Sequence, residues 1–370
     1  MAEPIKKEKP IVRYSDLARS SENGLRNIGS DTPVRDTDEI MFRDAIQLRA
    51  MGRSQSPQPV ASSGAGDHHV ARLFEQILHE VTGIYTAARG GLPFRLERVF
   101  GLAQAIADHA TPDRLLSQLF EAHPQFHYTD LNSAHCAIIA VQIARGLGHQ
   151  RDEQVQLAVA SLVHDIGMQT LPQGLLNTPG PLSKDQVAAV RTHPESGARL
   201  LKQAAPQHPW LAAIVREEHE REQGQGYPNG LRSEEIHALA KILGLADIYD
   251  ALICPRPYRR MFSPHEAVQE LLDCQDRLGY PKLVVRELIQ QLSLFPAGCR
   301  VRLSSNEVGR VILMNKQSPL RPVVEVLFDA EGQPLQTPRH VDLNTNPLVY
   351  VTASLPLEHA CVTAPSENGN

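Results

Sequence analysis

The sequence predicts a mainly α-helical protein with a small β-rich module near its C-terminal end, and three features predict it. Between about residues 67 and 292, apolar residues recur at helical spacing. The same stretch carries helix-start signals at Thr111-Pro112, at Ser183 with Gln186, and at Ser263-Pro264 with Glu266. After residue 293 the pattern turns to alternating, β-branched runs bounded by turn residues.

Residues 1–66 are rich in Ser, Pro, Gly, Arg and Asp, a composition that buries too little apolar area to offset chain entropy, so a disordered N-terminal region is expected. Its one amphipathic stretch is Ile40-Met41-Phe42 with Ala45, Ile46 and Leu48. Residues 67–122 form a helical extension. One stripe runs through Leu73, Phe74, Ile77, Leu78, Val81, Ile84 and Tyr85, and a second through Leu96, Val99, Phe100, Ala103 and Ile106. Leu115, Leu116 and Leu119 follow the Thr111-Pro112 start. The extension is expected to cap the main domain, with a homodimer contact as its other use.

The main helical domain spans residues 123–292. A helix over 130–146 carries His135, and Asp152 is expected to cap the helix that ends at His164-Asp165. Leu211, Ile214 and Val215 lead into Glu218-His219, a helix over 238–252 bears Asp247, and Pro281 opens the last helix. Arg145, Lys184, Arg191 and Lys202 read as solvated helix faces. Residues 293–357 supply strands over 299–303, 309–315, 323–328 and 348–351, with a hairpin turn at Asp329-Ala330-Glu331-Gly332, together a barrel-like module packed on the helices. Residues 358–370 read as a disordered tail.

A net charge of −5 gives no global case for nucleic-acid binding, so no DNA partner is expected. The five cysteines are odd in number and lack a Cys-x-x-Cys pair, and they read as reduced thiols. No apolar run approaches the ~20 residues of a membrane span, and the charged start has no apolar stretch behind it. A cytoplasmic protein without a membrane segment is the expectation.

The chemistry is carried by an ordered series. Leu162-Val163-His164-Asp165-Ile166-Gly167 is followed by His193-Pro194, Glu218-His219-Glu220-Arg221, Gly224-Gln225-Gly226-Tyr227-Pro228, and Asp247-Ile248-Tyr249-Asp250. Imidazole and carboxylate together suit a transition metal, since both bind as deprotonated donors. One His-Asp pair is weak; the series is specific. With His135, with Leu176 to Leu182 and with Arg256-Pro257-Tyr258, it resembles the HD-GYP domain, a branch of the HD phosphohydrolase superfamily. That family characteristically hydrolyses cyclic di-GMP.

The resemblance implies two divalent ions. His135, His164, Asp165 and Asp247 suit the first, and the family pattern places a second beside it, bridged by Asp165 and held by His193, Glu218 and His219. Two ions roughly 3.5–4 Å apart can activate one hydroxide for in-line attack on phosphorus, with His164 and Asp165 at the catalytic centre. Mixed N and O donors favour iron or manganese and are compatible with nickel, cobalt or zinc. Arg256 and Arg259, three apart, can clamp phosphate, and the resemblance places basic residues there against the substrate. Tyr227 stands in a glycine-bounded loop that can form a lip over the site or a partner surface. Asp250 and Glu220 are expected to orient ligands.

Departures from the family pattern are equally specific. Glu218 stands where a histidine is usual, Met168 where a lysine follows His-Asp-Ile-Gly, Gln223 where an aspartate precedes Gly224, and Leu131 where some members place a carboxylate for a third ion. The leading expectation is a metal-dependent cyclic di-GMP phosphodiesterase giving pGpG, with or without further hydrolysis to GMP. The alternatives are a catalytically degenerate module that senses cyclic di-GMP or binds proteins through its Gly-Tyr-Pro loop, and a phosphohydrolase of another nucleotide.

Overall fold

The computed structural model describes residues 65–172, 175, 183–254, 262–273 and 279–355. The readings for residues 1–64, the 40–48 stretch, residues 176–182, Arg256, Arg259 and the tail lie outside the described residues.

The helical part is built around two buried helices, α4 (Tyr128–Gly146) and α9 (Ala238–Ile253), within the series α1 (Ala65–Arg89), α2 (Glu97–Ala107), α3 (Pro112–Leu116), α5 (Arg151–Val163), α6 (Lys184–Val190), α7 (His193–Ala204), α8 (Pro209–Glu217), α10 (Pro264–Asp273) and α11 (Lys282–Leu292). Helix α9 is apolar nearly all round and buried from Ala240 through Ile253 apart from Lys241, as expected of a helix enclosed on every side. Two of its buried residues, Asp247 and Asp250, are carboxylates three apart and so share a face. Helix α4 is buried from Asn132 through Ala144, with Asn132 and His135 likewise three apart. These two polar pairs meet across the α4–α9 contact.

Helix α5 delivers the His-Asp pair. It starts at Arg151 rather than under an Asp152 cap: Gln150 and Glu153 form a reciprocal capping box, the Gln150 amide donating to Glu153 Oε2 at 2.9 Å. A glutamine at the cap is uncommon, which is why the aspartate two residues on attracts the assignment. Beyond Val163 the chain tightens into a 3₁₀ turn, His164–Thr170. Within it Gly167 faces the start of α7 so closely that a Cβ would collide with the His193 carbonyl oxygen and stand 2.6 Å from the Gly197 nitrogen. The expected capping boxes at Ser183/Gln186 and Ser263/Glu266 are present.

Side chains of helix α1 reach both α4 and the 3₁₀ turn. Tyr85 and Ser133 share a hydroxyl hydrogen bond at 2.7 Å, Thr82 donates to Asp130 at 2.6 Å, and Arg89 donates twice to Gln169 at 2.6 and 3.0 Å. Arg145 is not a solvated face: it is half-buried and donates to the last carbonyls of α2, Ile106 and Ala107, a partner that only the tertiary fold supplies.

The β module is a five-stranded antiparallel sheet in the order β4-β3-β2-β1-β5, from β1 (Arg300–Leu303), β2 (Val308–Leu313), β3 (Val323–Phe328), β4 (Pro334–Asp342) and β5 (Val351–Leu355). Among the described residues β4 and β5 do not pair, so the sheet is open rather than barrel-like. Val301, Leu303, Val311, Val324 and Val326 make its buried face. Strand β4 escapes sequence reading because it is an exposed edge strand containing Pro338 and charged residues, as edges tend to be. Arg310 ties the sheet to the helices through Glu121 at 3.1 Å.

The Gly167 contact yields a stability prediction. Gly167→Ala should lower the unfolding free energy by about 1–3 kcal/mol, the usual range for overpacking against neighbours that cannot yield, read as a lower urea midpoint. A wild-type midpoint would contradict the close approach.

Candidate metal centre

Three histidines share one arrangement. His135 Nδ1 donates to Asp250 Oδ1 at 2.7 Å, His164 Nδ1 to the Ser161 carbonyl at 2.8 Å, and His193 Nδ1 to the Val190 carbonyl at 2.8 Å. With Nδ1 committed as donor, Nε2 is the atom that carries the lone pair whenever the ring is neutral, the tautomer a metal ligand needs. The Nε2 atoms of His135 and His164 are buried with no hydrogen-bond partner. Buried orphans of this kind are costly unless something fills them.

Asp165 stands between two of these rings. Its Oδ2 lies 3.8 Å from His164 Nε2 and its Oδ1 lies 3.4 Å from His193 Nε2. A carboxylate whose two oxygens face different imidazoles is placed to bridge two ions. Its side chain is 16% exposed, the open side of an otherwise closed cluster.

On the far side His219 Nε2 faces His193 Nε2 at 3.1 Å. This gap needs a proton on one of the two nitrogens or a cation between them, and 3.1 Å suits two nitrogens each about 2.0–2.1 Å from one ion. Glu218 is wholly buried; its Oε1 lies 3.5 Å from His219 Nε2 and 3.6 Å from His193 Nε2. Neither of its oxygens has a hydrogen-bond partner. It also groups with His164 and Asp165, so it borders both halves of the cluster.

Asp247 groups with His164 and Cys136. Asn132, which sequence reasoning missed, donates to Asp247 at 3.1 Å and to Asp250 at 2.8 Å, tying the His135 end to the His164 end. Its signal was there: a polar residue one turn before His135 on the buried face of an apolar helix. His135 thus joins the cluster through Asp250, Asn132 and Asp247, while its ring stacks on Phe74 of α1.

Electrostatics agree with the geometry. Burial pulls the His164 imidazole down, but the carboxylates of Glu218, Asp165 and Asp247 outweigh it and bring it up to about 9. Burial also lowers His193, again overcome by Glu218 and Asp165, whereas burial and the neighbouring His193 drive His219 well below its ordinary value. Burial raises Glu218 against the pull of His164 and His193. Isolated buried carboxylates cost several kcal/mol each; a hydrogen bond to a charged group returns about 1.5–3 kcal/mol. The cluster is short of positive charge, and divalent cations fit it.

Comparison with known proteins follows the same line. A family model described as an HD domain matches residues 114–280, and one described as a KOW domain associated with HD domain matches residues 300–359. A cyclic di-GMP phosphodiesterase of Pseudomonas aeruginosa is 30% identical over 323 residues, covering 86% of this chain and 77% of that protein. This chain is an HD-GYP phosphohydrolase. Within the family, a 3′3′-cGAMP-specific phosphodiesterase of Vibrio cholerae is 35% identical over 132 residues, 36% of this chain and 28% of that protein. An HDG"Y"P protein of Bdellovibrio bacteriovorus has a solved structure that matches with a TM-score of 0.51 at 17% identity, over 68% of this chain and 79% of that one, a likeness of fold.

The remaining expected residues of this HD-GYP chain fall in different places. Glu220 is buried and accepts from the backbone amides of Asn229 at 2.6 Å, Gly230 at 3.1 Å and Leu231 at 2.9 Å, and so holds the Gly-Tyr-Pro loop. Tyr227 stacks on His219, ring centroids 4.7 Å apart, and its amide donates to the His219 carbonyl at 3.2 Å. Gly226 permits this approach, since a Cβ there would strike the Glu220–Arg221 backbone. No described helix is long and apolar enough to cross a membrane.

Asp250 offers the cleanest test of the support beneath the ligands. Asp250→Asn should weaken divalent-metal affinity about 10- to 100-fold, as loss of a ligand-orienting carboxylate does, measured by titrating metal-free protein with manganese. Unchanged affinity would place His135 outside the centre.

Proposed function

We propose that this chain hydrolyses a phosphodiester bond of cyclic di-GMP, giving pGpG and then GMP, at a centre of two divalent ions, iron or manganese first among them. The observation that carries this reading is the Asp165 carboxylate, with one oxygen toward His164 and the other toward His193. His135, His164, Asp165 and Asp247 would hold one ion, and Asp165, His193, Glu218 and His219 the other. When bound, the ions supply Lewis acidity to the phosphoryl oxygens and lower the pKa of the attacking water.

The chain's own groups supply the rest. Acceptors at Asp250, Ser161 and Val190 fix the imidazole orientations before substrate arrives, so no reorganisation is needed in the transition state. Burial around Glu218, His164 and Asp250 keeps the reacting centre in a low dielectric, and the partly exposed Asp165 marks the side of entry. In this reading Tyr227 forms the lip, and Arg256 and Arg259 meet the substrate phosphates. The reading keeps the division into residues 1–66, 67–122, 123–292, 293–357 and 358–370, and a cytoplasmic site of action.

A second reading is favoured by Glu218, which adds a carboxylate where the family has an imidazole: a module that binds cyclic di-GMP without turning it over, or engages proteins through the Gly-Tyr-Pro loop. The Vibrio cholerae relative makes cyclic GMP-AMP the competing substrate to include.

The test is turnover by anaerobically purified, metal-loaded protein. Cyclic di-GMP should be hydrolysed faster than cyclic GMP-AMP, a chelator should abolish the reaction, and His164→Ala and Asp165→Asn should each lower kcat at least ~10³-fold, the scale of removing metal activation. Tight binding with no turnover, even with two ions bound, would favour the sensor instead.

A further inference from the structure

Arg191 reads in the sequence as a solvated basic face, and the structure places it against the site. It directly follows α6 and precedes His193 by two residues. Its guanidinium carbon lies over the Tyr227 ring, 5.2 Å from the centroid, and the same ring stacks on His219. One aromatic side chain therefore contacts both this cation and a proposed metal ligand.

Among the described residues, Arg221 and Arg89 are committed elsewhere. Arg221 donates to the Glu218 and Glu220 carbonyls at 3.2 and 2.8 Å and lies over Tyr280, and Arg89 is spent on Gln169. Among the described residues the Arg191 guanidinium has neither a carboxylate nor a hydrogen-bond acceptor; the Tyr227 face is its contact. A half-buried guanidinium held by a ring and left without an anion has its planar donors available for a phosphate, which it can take bidentately.

The surroundings say which phosphate. The reacting phosphodiester belongs to the imidazole–carboxylate cluster, and a cyclic dinucleotide carries a second phosphodiester in the same ring. Position 168, where the family pattern has a lysine, is Met168 here, in the turn that Gly167 packs against the His193 backbone. That turn and Arg191 thus flank the same helix start, one without a cation and one with a cation to spare.

Resting on the phosphodiesterase reading above, we propose that Arg191 binds the second, non-reacting phosphodiester of the cyclic dinucleotide, held in place by Tyr227 and compensating for the missing cation at position 168. It is a substrate-binding residue, and its absence should be felt by a substrate with two phosphodiesters and not by one with a single phosphodiester.

The experiment compares full-length, metal-loaded wild type with Arg191→Met and Arg191→Lys, using cyclic di-GMP and bis(4-nitrophenyl) phosphate. Methionine keeps an apolar stem on Tyr227 and removes the charge; matching thermal melts check that the loop stays folded. Arg191→Met should raise KM for cyclic di-GMP about 10- to 100-fold with kcat within about threefold, the loss expected for a charge-assisted hydrogen-bond pair. Its kcat/KM for bis(4-nitrophenyl) phosphate should stay within about twofold, and Arg191→Lys should recover part of the affinity as a point charge. Where wild type binds without turnover, the calorimetric Kd is read in place of KM. An unchanged KM or Kd, or equal losses on both compounds, overturns the role of Arg191 alone. A wild type that neither binds nor hydrolyses cyclic di-GMP overturns the underlying reading and this inference with it.

Discussion

The fold is constrained by the need to keep several carboxylates inside a helical core. Asp247 and Asp250 lie on the most apolar of the described helices, and Glu218 is wholly buried nearby. Hydrogen bonds account for some of this charge: Asn132 reaches both aspartates, and the His135 ring donates to Asp250. For Glu218 they account for none. The chain therefore carries a standing demand for cations at one place, and the imidazoles around it, with Nδ1 already engaged, present the donors that would share those cations.

Much of the scaffold serves to bring that place together. Gly167 lets the His164 turn touch the start of α7, Gly226 lets the Gly-Tyr-Pro loop reach His219, and Gly244 lets α9 approach the Glu218 carbonyl. Each site is one where a methyl group would meet backbone. Helix α1 is fastened to the same turn by Arg89 on Gln169 and to α4 by Tyr85 on Ser133.

What could be read in the sequence, and what could not, divides along physical lines. Helices with strong stripes and paired caps, such as α6 with Ser183 and Gln186, were legible because their signals are local. So were the metal-binding residue types, whose order along the chain is specific even though their convergence is not written in any spacing. Strand β4 was not legible, because an edge strand held by pairing to β3 needs no alternating pattern. Arg145 and Arg191 share a reason for reading as solvated: a charged residue at a helix surface looks so until its partner, a helix end or an aromatic ring, arrives from distant sequence. Asn132, one helical turn before His135, carries no strong metal-ligand signal because its amide supports the carboxylates and does not bind as a deprotonated donor.

Glu218 is the feature on which the family likeness and this chain's own chemistry pull apart. It sits between His193 and His219, where a ligand is needed, yet brings negative charge instead of a neutral ring. An extra carboxylate holds a cation more firmly while leaving it a weaker Lewis acid, so the proposed paired centre would have moderated activity.

The most direct measurement of the account is the metal content of anaerobically purified protein together with its electron paramagnetic resonance spectrum. Two ions per chain with a spin-coupled spectrum, collapsing to an uncoupled signal in Asp165→Asn, is the predicted result. A single magnetically isolated ion in wild type, or no bound metal at all, would contradict the bridged centre on which the proposed chemistry stands.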